Sequence, residues 1–214
     1  ETGSLMSADS STFTSTRVSM LTGKTDQNAA PSSFHEIMPG ADGKKNVGKV
    51  ISDNYEVVEG SWPKNKNEVV LVLDENNSLS LTTVYELGLK SASEYHDMMN
   101  QLNSGDDVKT DTKKIDYSDV IDRTLKLLPA CDQYVKGDNG HWTYVGDDVD
   151  QINALIDSDK AIDLKIVGVV KPVEDADATP LSSGVGYTRA LTNELIDRAE
   201  SSEIVTEQLS LIHI

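Results

Sequence analysis

Apolar and polar positions along the chain follow patterns that predict interleaved strands and helices. Tyr55–Val58 and Val69–Leu73 are apolar runs separated by a stretch rich in Lys, Asn, Gly and Pro, which is typical of two strands joined by an irregular turn. Leu164–Val170 is the strongest strand pattern of the chain, since apolar residues fill most of it. All three segments are therefore predicted to be strands.

Further strands are predicted on either side of this group. In the Ser- and Thr-rich start, Thr and Val alternate over Ser11–Leu21 and favour an extended conformation. Tyr117–Leu128 is typical of a short helical turn followed by a strand, and Trp142–Val145 of a strand that returns after the turn at Gly137–Gly140. A separate turn is predicted at Ala41–Asn46, where a glycine can adopt a positive φ.

Helices are predicted in both halves of the chain. Ser80 is a suitable N-cap for a helix that ends at Gly88, and Ser93–Leu102 has apolar residues spaced along one helical face. The acidic residues that begin at Asp147 favour a helix start, because carboxylates stabilise the N-terminal end of the helix dipole.

Two amphipathic helices are predicted near the C-terminal end of the sequence. Leu191–Ala199 places Leu191, Leu195 and Ile196 on one face, and Ile204–Leu211 forms the second helix. Because strands and helices interleave along the whole chain, the pattern predicts an α+β or mixed α/β fold.

Composition limits the kinds of partner. The 214 residues include 36 Asp and Glu against 19 Lys and Arg, so the formal net charge is −17. Such a charge repels phosphate backbones and anionic membrane surfaces, and we therefore predict no nucleic-acid partner. The length suits one large domain or two small lobes. The apolar stretches stay short of the ~20 residues that a membrane-spanning helix needs.

Cys131 is the one cysteine, so neither an internal disulfide nor a thiolate zinc site can be built. No basic residue lies close to it in the sequence to lower the pKa of the thiol, and we predict no nucleophilic role. Trp62 is expected to pack under the turn that contains Pro63 rather than stand exposed for a partner.

Two glycine-containing motifs resemble ligand-binding loops without matching them. Leu21–Thr25, "LTGKT", ends like a phosphate-binding loop, but Val18 stands where that loop needs its first glycine. Ser182–Thr188, "SSGVGYT", has the spacing of neither a nucleophile elbow nor a dinucleotide loop. We interpret the first motif as a polar turn, and Gly184 and Gly186 as a tight turn that leads into a helix.

Histidines and acidic clusters show no ligand pattern. The histidines lie far apart and are interpreted as surface or lightly packed residues: His35, His96, His141 and His213. Asp74–Asn77, Asp138–Asn139 and Asp147–Asp150 offer oxygen ligands that calcium prefers, yet none matches the twelve-residue calcium loop. We interpret the last as a helix start and the others as solvated charge. No catalytic, cofactor-binding or metal-binding residue is therefore predicted.

Several segments resemble the extracytoplasmic core domain of MacB/FtsX-type ABC transporter permeases, of the Gram-positive type. Gly60–Pro63 is similar to the family's "GxxP" strand end, Asn67–Leu71 to its "NEVVL" segment and Leu87–Leu89 to its "LGL" helix end. Asp163–Pro172 is similar to the "LKIVGVV" strand, and Ser182–Gln208 to the "GIGYT" helix start. Together these segments touch about half of the chain, in the family's order.

The resemblance implies an α+β fold with two lobes. Residues 1–33 are then a flexible lead with a first strand, residues 34–89 plus 161–214 a βαβ-type core lobe, and residues 90–160 a smaller inserted lobe. The matched glycines and prolines have structural roles in this interpretation. Glu1–Gly3 resembles the remnant that a vector leaves after signal cleavage, so we expect the chain to be a segment of a longer protein.

The resemblance also implies a non-enzymatic domain on the extracellular face of the bacterial cell membrane, with no cofactor. Membrane helices of the full-length permease would pass ATP-driven movement of a cytoplasmic ATPase subunit to this domain, which handles or exports a substrate on the outer face. The expected partners are that subunit, a second permease copy, and a cationic peptide or other exported substrate. Two alternatives stay open, a free-standing surface binding or adhesion module and a hydrolase with an unrecognised site.

Overall fold

The computed structural model of the chain describes residues 4–7, 34–79, 83–84, 116–146 and 148–212. Its strands are β1 (Ser4–Ser7), β2 (Phe34–Glu36), β3 (Tyr55–Gly60), β4 (Glu68–Val72), β5 (Thr124–Leu128), β6 (Tyr134–Lys136), β7 (Trp142–Tyr144), β8 (Ile162–Pro172) and β9 (Gly184–Tyr187). Its α-helices are α1 (Lys49–Asn54), α2 (Val149–Ile156), α3 (Arg189–Ser201) and α4 (Glu203–Ile212), and short 3₁₀ helices span Tyr117–Asp119 and Ala130–Gln133. The fold is α+β.

The long strand β8 is the centre of a mixed seven-stranded sheet. The strand order is β1-β5-β8-β4-β9-β2, and β3 also pairs with β8. One edge of β8 carries β5 along its first half and β3 along its second half, both antiparallel. The other edge carries β4, which runs parallel to β8. Strands β6 and β7 form a separate two-stranded hairpin.

Strand β4 is buried on both faces of the sheet. Val69 and Leu71 belong to a large core cluster on one face, while Val70 and Val72 belong to a second cluster on the other. Successive side chains of a strand point to opposite faces, so a strand covered on both sides needs a continuous apolar run. Burial on both faces therefore explains the continuous apolar segment from which β4 was predicted.

Helix α3 covers the first face of the sheet. Leu191 and Leu195 are 0% and 5% exposed within the large core cluster. Ile196 was predicted to share their face, and this prediction is wrong, because its side chain is 49% exposed. Consecutive residues of an α-helix are separated by about 100° around its axis, which turns Ile196 away from the sheet.

The second face is covered by α1 and by the loop before β9. Ile51 of α1 is fully buried against this face. The Tyr55 hydroxyl donates to the Leu181 carbonyl and accepts from the Leu181 N–H, each at 2.9 Å. This pair of hydrogen bonds fixes the loop after β8 to the start of β3.

Two glycines permit the close approach of β3 to β8. Gly60 ends β3 with a φ of +74°, and a Cβ there would lie 2.2 Å from the Val167 carbonyl oxygen. A Cβ at Gly168 would lie 2.2 Å from the Ser61 carbonyl oxygen. The two backbones therefore meet with no room for a side chain, and the predicted structural role of Gly60 is confirmed.

Most predicted elements within the described ranges are present. The structure confirms the strands predicted at 55–58, 69–73, 124–128, 142–145 and 164–170, the turn at 41–46 and the helices at 191–199 and 204–211. The helix predicted from the acidic residues is present as Val149–Ile156, while residue 147 lies outside the described residues. The strand predicted over 11–21 and the helix predicted over 93–102 lie outside the described residues. Of the helix predicted over 80–88, only Thr83 and Val84 are described, and both are helical.

The strand pairing bears on the predicted boundaries between the two lobes. Strand β5 lies within residues 90–160, the range predicted to form the insert, and it pairs with β8 of the main sheet. The β6–β7 hairpin of the same range forms a sheet of its own. The division into two lobes stays a prediction.

Candidate functional site

The structure describes two of the four histidines, His35 and His141. His35 is half-buried on β2, and its Nε2 is buried without a hydrogen bond in the described part of the chain. Burial lowers the pKa of this imidazole, which favours the neutral ring. His141 is exposed in the turn of the β6–β7 hairpin. His96 and His213 lie outside the described residues, as does the Leu21–Thr25 motif.

In two of the acidic turns considered for calcium, side-chain oxygens accept hydrogen bonds from nearby backbone N–H groups. Asp74 accepts hydrogen bonds from the N–H groups of Asn76 and Ser78 at 2.9 and 2.7 Å. Asn139 accepts one from the His141 N–H at 3.0 Å. These side-chain oxygens complete tight turns, which is a common role of Asp and Asn.

Asp148 is the N-cap of α2. One of its carboxylate oxygens accepts from the N–H groups of Asp150 and Gln151, both at 3.1 Å, and the other from the Gln151 amide at 2.8 Å. These bonds lower the pKa of the Asp148 carboxyl, and the bond from the Gln151 side chain has the largest effect. The predicted helix start is confirmed for Asp148 and Asp150. Across the ranges that the structure describes, no group of three or more His, Cys, Asp or Glu side chains is placed to hold a metal ion.

Cys131 lies in the 3₁₀ helix after β5 and is partly buried. Burial raises the pKa of the thiol, the Asp132 carboxylate raises it further, and Arg198 acts in the opposite direction. A raised pKa keeps the sulfur protonated and therefore poorly nucleophilic. The basic residue that the neighbouring sequence lacks is supplied by α3, yet it does not reverse the shift.

Gly184 and Gly186 form strand β9, so their prediction as a tight turn is wrong. They pair with Val72 and Val70 of β4. A Cβ at Gly186 would lie 3.1 Å from the Ile37 side chain and 3.2 Å from Val70 Cγ2. The glycine therefore makes room for the second core cluster, and α3 begins only after β9 has ended.

The two tryptophans occupy different surroundings. Trp62 packs against the second core cluster, which confirms the prediction made for it. Trp142 of β7 is also partly buried, but its indole N–H donates to a carboxylate oxygen of Glu207 on α4 at 2.8 Å. The second contact connects parts of the chain that are far apart in sequence.

Four side chains join the hairpin to α4, and we name Lys136, Trp142, Glu203 and Glu207 the hairpin–helix cluster. The Lys136 ammonium donates to Glu203 Oε1 at 2.8 Å and also to Glu207 Oε1. It lies 5.5 Å from the centre of the Trp142 ring, within cation–π range. Glu207 thus accepts from both hairpin residues, one on each carboxylate oxygen.

The hairpin–helix cluster is open to water. Side-chain exposure is 34% for Lys136, 63% for Glu203 and 41% for Glu207. Hydrogen bonds to the two glutamates raise the pKa of Lys136, and those from Lys136 and then Trp142 lower the pKa of Glu207. Ion pairs this exposed contribute little to stability and are screened by salt.

The base of the hairpin is fixed to the sheet through Gln133. Its amide donates to the Leu128 carbonyl at the end of β5 at 3.2 Å, and its backbone carbonyl accepts from the Val145 N–H at 2.9 Å. The Tyr144 hydroxyl donates to the Gln133 side-chain oxygen at 3.3 Å. A continuous set of contacts therefore runs from α4 through the hairpin to β5.

Helix α3 has its own polar connection to the same region. Arg198 Nε lies 2.7 Å from Asp132 Oδ2, with the two side chains 27% and 18% exposed. Another nitrogen of the guanidinium donates to the Lys160 carbonyl at 2.7 Å. This pair is better shielded than the hairpin–helix cluster.

Sequence reasoning missed both of these polar connections. The one local signal is that Glu203 and Glu207 are four residues apart, which places them on the same face of a helix. Their partners come from other elements, and single-sequence patterns do not report contacts of that kind.

Comparison with profiles of protein families, with curated proteins and with solved structures found no match to this chain. In the described ranges, no helix combines the length and apolar character that crossing a bilayer requires.

Proposed function

We propose that this chain is the extracytoplasmic domain of an ABC transporter permease of the MacB/FtsX type, of the Gram-positive kind, on the outer face of the bacterial cell membrane. The domain has no enzymatic activity of its own in this proposal. It couples ATP hydrolysis in a cytoplasmic subunit, received through the membrane helices of the full-length permease, to handling or export of a substrate.

The observation that carries the proposal is that the family-like segments form neighbouring elements of one sheet. Gly60–Pro63 ends β3 and starts the next turn, Asn67–Leu71 covers most of β4, and Asp163–Pro172 covers β8. Ser182–Gln208 contains β9, α3 and much of α4. Both β3 and β4 pair with β8, and β9 pairs with β4. Motifs that are weak singly support a relationship better when they meet in one unit.

The roles of the matched residues agree with a conserved scaffold rather than a reaction centre. Gly60 and Gly168 permit the close approach of β3 to β8, and Gly186 makes room for the second core cluster. Pro63 is buried next to Trp62. Each of these residues serves packing, as the resemblance implies.

Two lobes belong to the same proposal. The core lobe consists of residues 34–89 and 161–214, and the smaller lobe lies within residues 90–160 and includes the β6–β7 hairpin. Because β5 pairs with β8, we assign Thr124–Leu128 to the core lobe. The hairpin, which has a separate sheet, stays with the smaller lobe.

The cellular test uses the full-length gene product with an affinity tag, expressed in its own host. We expect it in the membrane fraction, with an ATPase subunit co-purifying after detergent extraction, and with this domain digested by protease added outside intact protoplasts. Recovery from the cell wall or the medium without an ATPase would overturn the proposal and favour the free-standing binding or adhesion module.

The acidic surface leads to a proposal about the substrate, a cationic peptide. The net charge of −17 favours cationic partners electrostatically. Calorimetry at low salt with a Lys-rich peptide should give heat that disappears at high salt, and an anionic peptide of equal length is the control. No binding of the cationic peptide at low salt would contradict this substrate while leaving the permease proposal to the cellular test.

A further inference from the structure

We propose that the hairpin–helix cluster is a salt-sensitive latch, which holds α4 against the β6–β7 hairpin and allows the helix to detach while the central sheet stays folded. The inference concerns a movement within this chain. It does not depend on the proposed function, and its test needs no transporter.

The first argument is the way α4 is attached. Polar side-chain contacts from α4 to the hairpin go to Lys136 and Trp142. Ile204, in the first turn of α4, is 6% exposed, whereas Leu209, further along, is 53% exposed. The helix thus has a buried residue in its first turn, and polar contacts hold it at Glu203 and, one turn further along, at Glu207.

The second argument is the junction between α3 and α4. Ser202 separates the helices in an extended conformation, with φ −70° and ψ 144°. Its hydroxyl donates to the Ala199 carbonyl at 2.7 Å and accepts from the Val205 N–H at 3.4 Å, so it caps both helices. All of these bonds are local. A rotation of α4 about this residue has to change only these local bonds, and such a position can act as a hinge.

The third argument is the contrast with α3. Leu191 and Leu195 bury α3 in the large core cluster, and the shielded Arg198–Asp132 pair secures its far end. A force on α4 therefore meets a fixed helix before the hinge and a solvent-exposed cluster after it. The cluster is the attachment expected to open first, because exposed ion pairs are weak and salt-dependent.

The experiment is hydrogen exchange of the whole chain, followed by mass spectrometry, at about 20 mM and about 500 mM sodium chloride. We expect the α4 amides to exchange about three- to tenfold faster at high salt, with β8 unchanged. Lys136→Gln should produce the same acceleration at low salt and remove the salt effect. Lys66→Gln is the matched control, because it breaks the exposed Lys66–Glu194 pair on α3 and leaves the cluster intact.

Two results would overturn the latch. In one, α4 and β8 exchange at the same rate under every condition, which means that the helix opens only when the whole protein unfolds. In the other, Lys136→Gln exchanges like the parent protein. If Lys136→Gln also accelerates β8, Glu207→Gln is the second variant, and the same criteria apply to it.

Tryptophan fluorescence provides an independent measurement. In a Trp62→Phe background, Trp142 is the remaining tryptophan, and opening should shift its emission to the red as its indole N–H leaves Glu207 for water. The shift should follow the same salt dependence as the exchange of α4. An emission spectrum that does not respond to salt would contradict the proposal.

Discussion

The central sheet and the hairpin–helix cluster are stabilised by opposite kinds of interaction. In strand β4, the side chains of Val69–Val72 are 0–1% exposed on both faces, so its stability depends on volume and shape. The contacts between Lys136 and α4 are exposed charge pairs, so their strength depends on salt and on protonation. The comparison teaches that the chain combines a rigid body with an attachment that solution conditions can loosen.

The largest expected loss of stability is at Gly60, and Gly140, which has nearly the same φ, is its control. Gly60 and Gly140 have φ of +74° and +76°, but a Cβ at Gly60 meets the Val167 carbonyl oxygen and one at Gly140 meets open space. We expect Gly60→Ala to lower the free energy of unfolding by about 4 kcal/mol and Gly140→Ala by about 1 kcal/mol. Urea denaturation monitored by circular dichroism measures both. Equal losses would show that the contact between the end of β3 and β8 is not tightly packed.

The next effect compares neighbouring residues of α3. Leu195→Ala should lower the free energy of unfolding by about 2–4 kcal/mol, because it leaves a cavity beneath the sheet. Ile196→Ala, at a 49% exposed position, should change it by no more than about 0.5 kcal/mol. Chemical denaturation of the two variants is the measurement. A similar loss for both would mean that α3 is rotated relative to the sheet.

A smaller effect is expected at the shielded ion pair. Arg198→Ala removes the partner of Asp132 and a donor to the Lys160 carbonyl, and should cost about 1–2 kcal/mol in thermal or urea unfolding. Lys66→Ala, which breaks an exposed pair on the same helix, should cost no more than about 0.5 kcal/mol. If the two variants were equally stable, shielding from solvent would not explain a difference in what these ion pairs contribute to stability.

Acid is expected to open the hairpin–helix cluster. The hydrogen bond from Lys136, followed by that from Trp142, holds the pKa of Glu207 below its ordinary value of 4.5. A group with a depressed pKa stabilises the folded state above that ordinary value, and the contribution is lost as the pH falls through the folded value. The emission of Trp142 in the Trp62→Phe background should therefore shift at a pH below 4.5.

Glu207→Gln is the control for this titration, and it should abolish the acid shift while far-UV circular dichroism stays constant. An unchanged titration in the variant would show that another group is responsible for the shift.

The central strands could be predicted as strands, though not as central, because burial on both faces requires continuous apolar runs. β4 has this property, as does the second half of β8, and the turn residues between β3 and β4 separated those two strands. β9 could not be predicted as a strand, since the need for Gly186 comes from Ile37 and Val70, which other segments of the chain supply, and not from a local pattern. The short strands β2 and β6 have too few residues to show an alternation.

The polar connections were beyond prediction for a related reason. Lys136 and Glu207, like Asp132 and Arg198, are brought together only after the sheet and α3 have taken their places. Capping was predictable where it is local, as for Asp148 at the start of α2. Local chemistry is thus readable from one sequence, whereas contacts between distant elements require the fold.

The position of β4 affects how a cell can synthesise this chain. Val69 pairs with Ile166 on one side and with Tyr187 on the other, so a ribosome produces both neighbours long after β4 itself. Until then, the apolar run of β4 has none of its native strand partners and is open to aggregation. The nascent chain must therefore be shielded until β9 has emerged, and a translation arrest before that point should yield insoluble fragments.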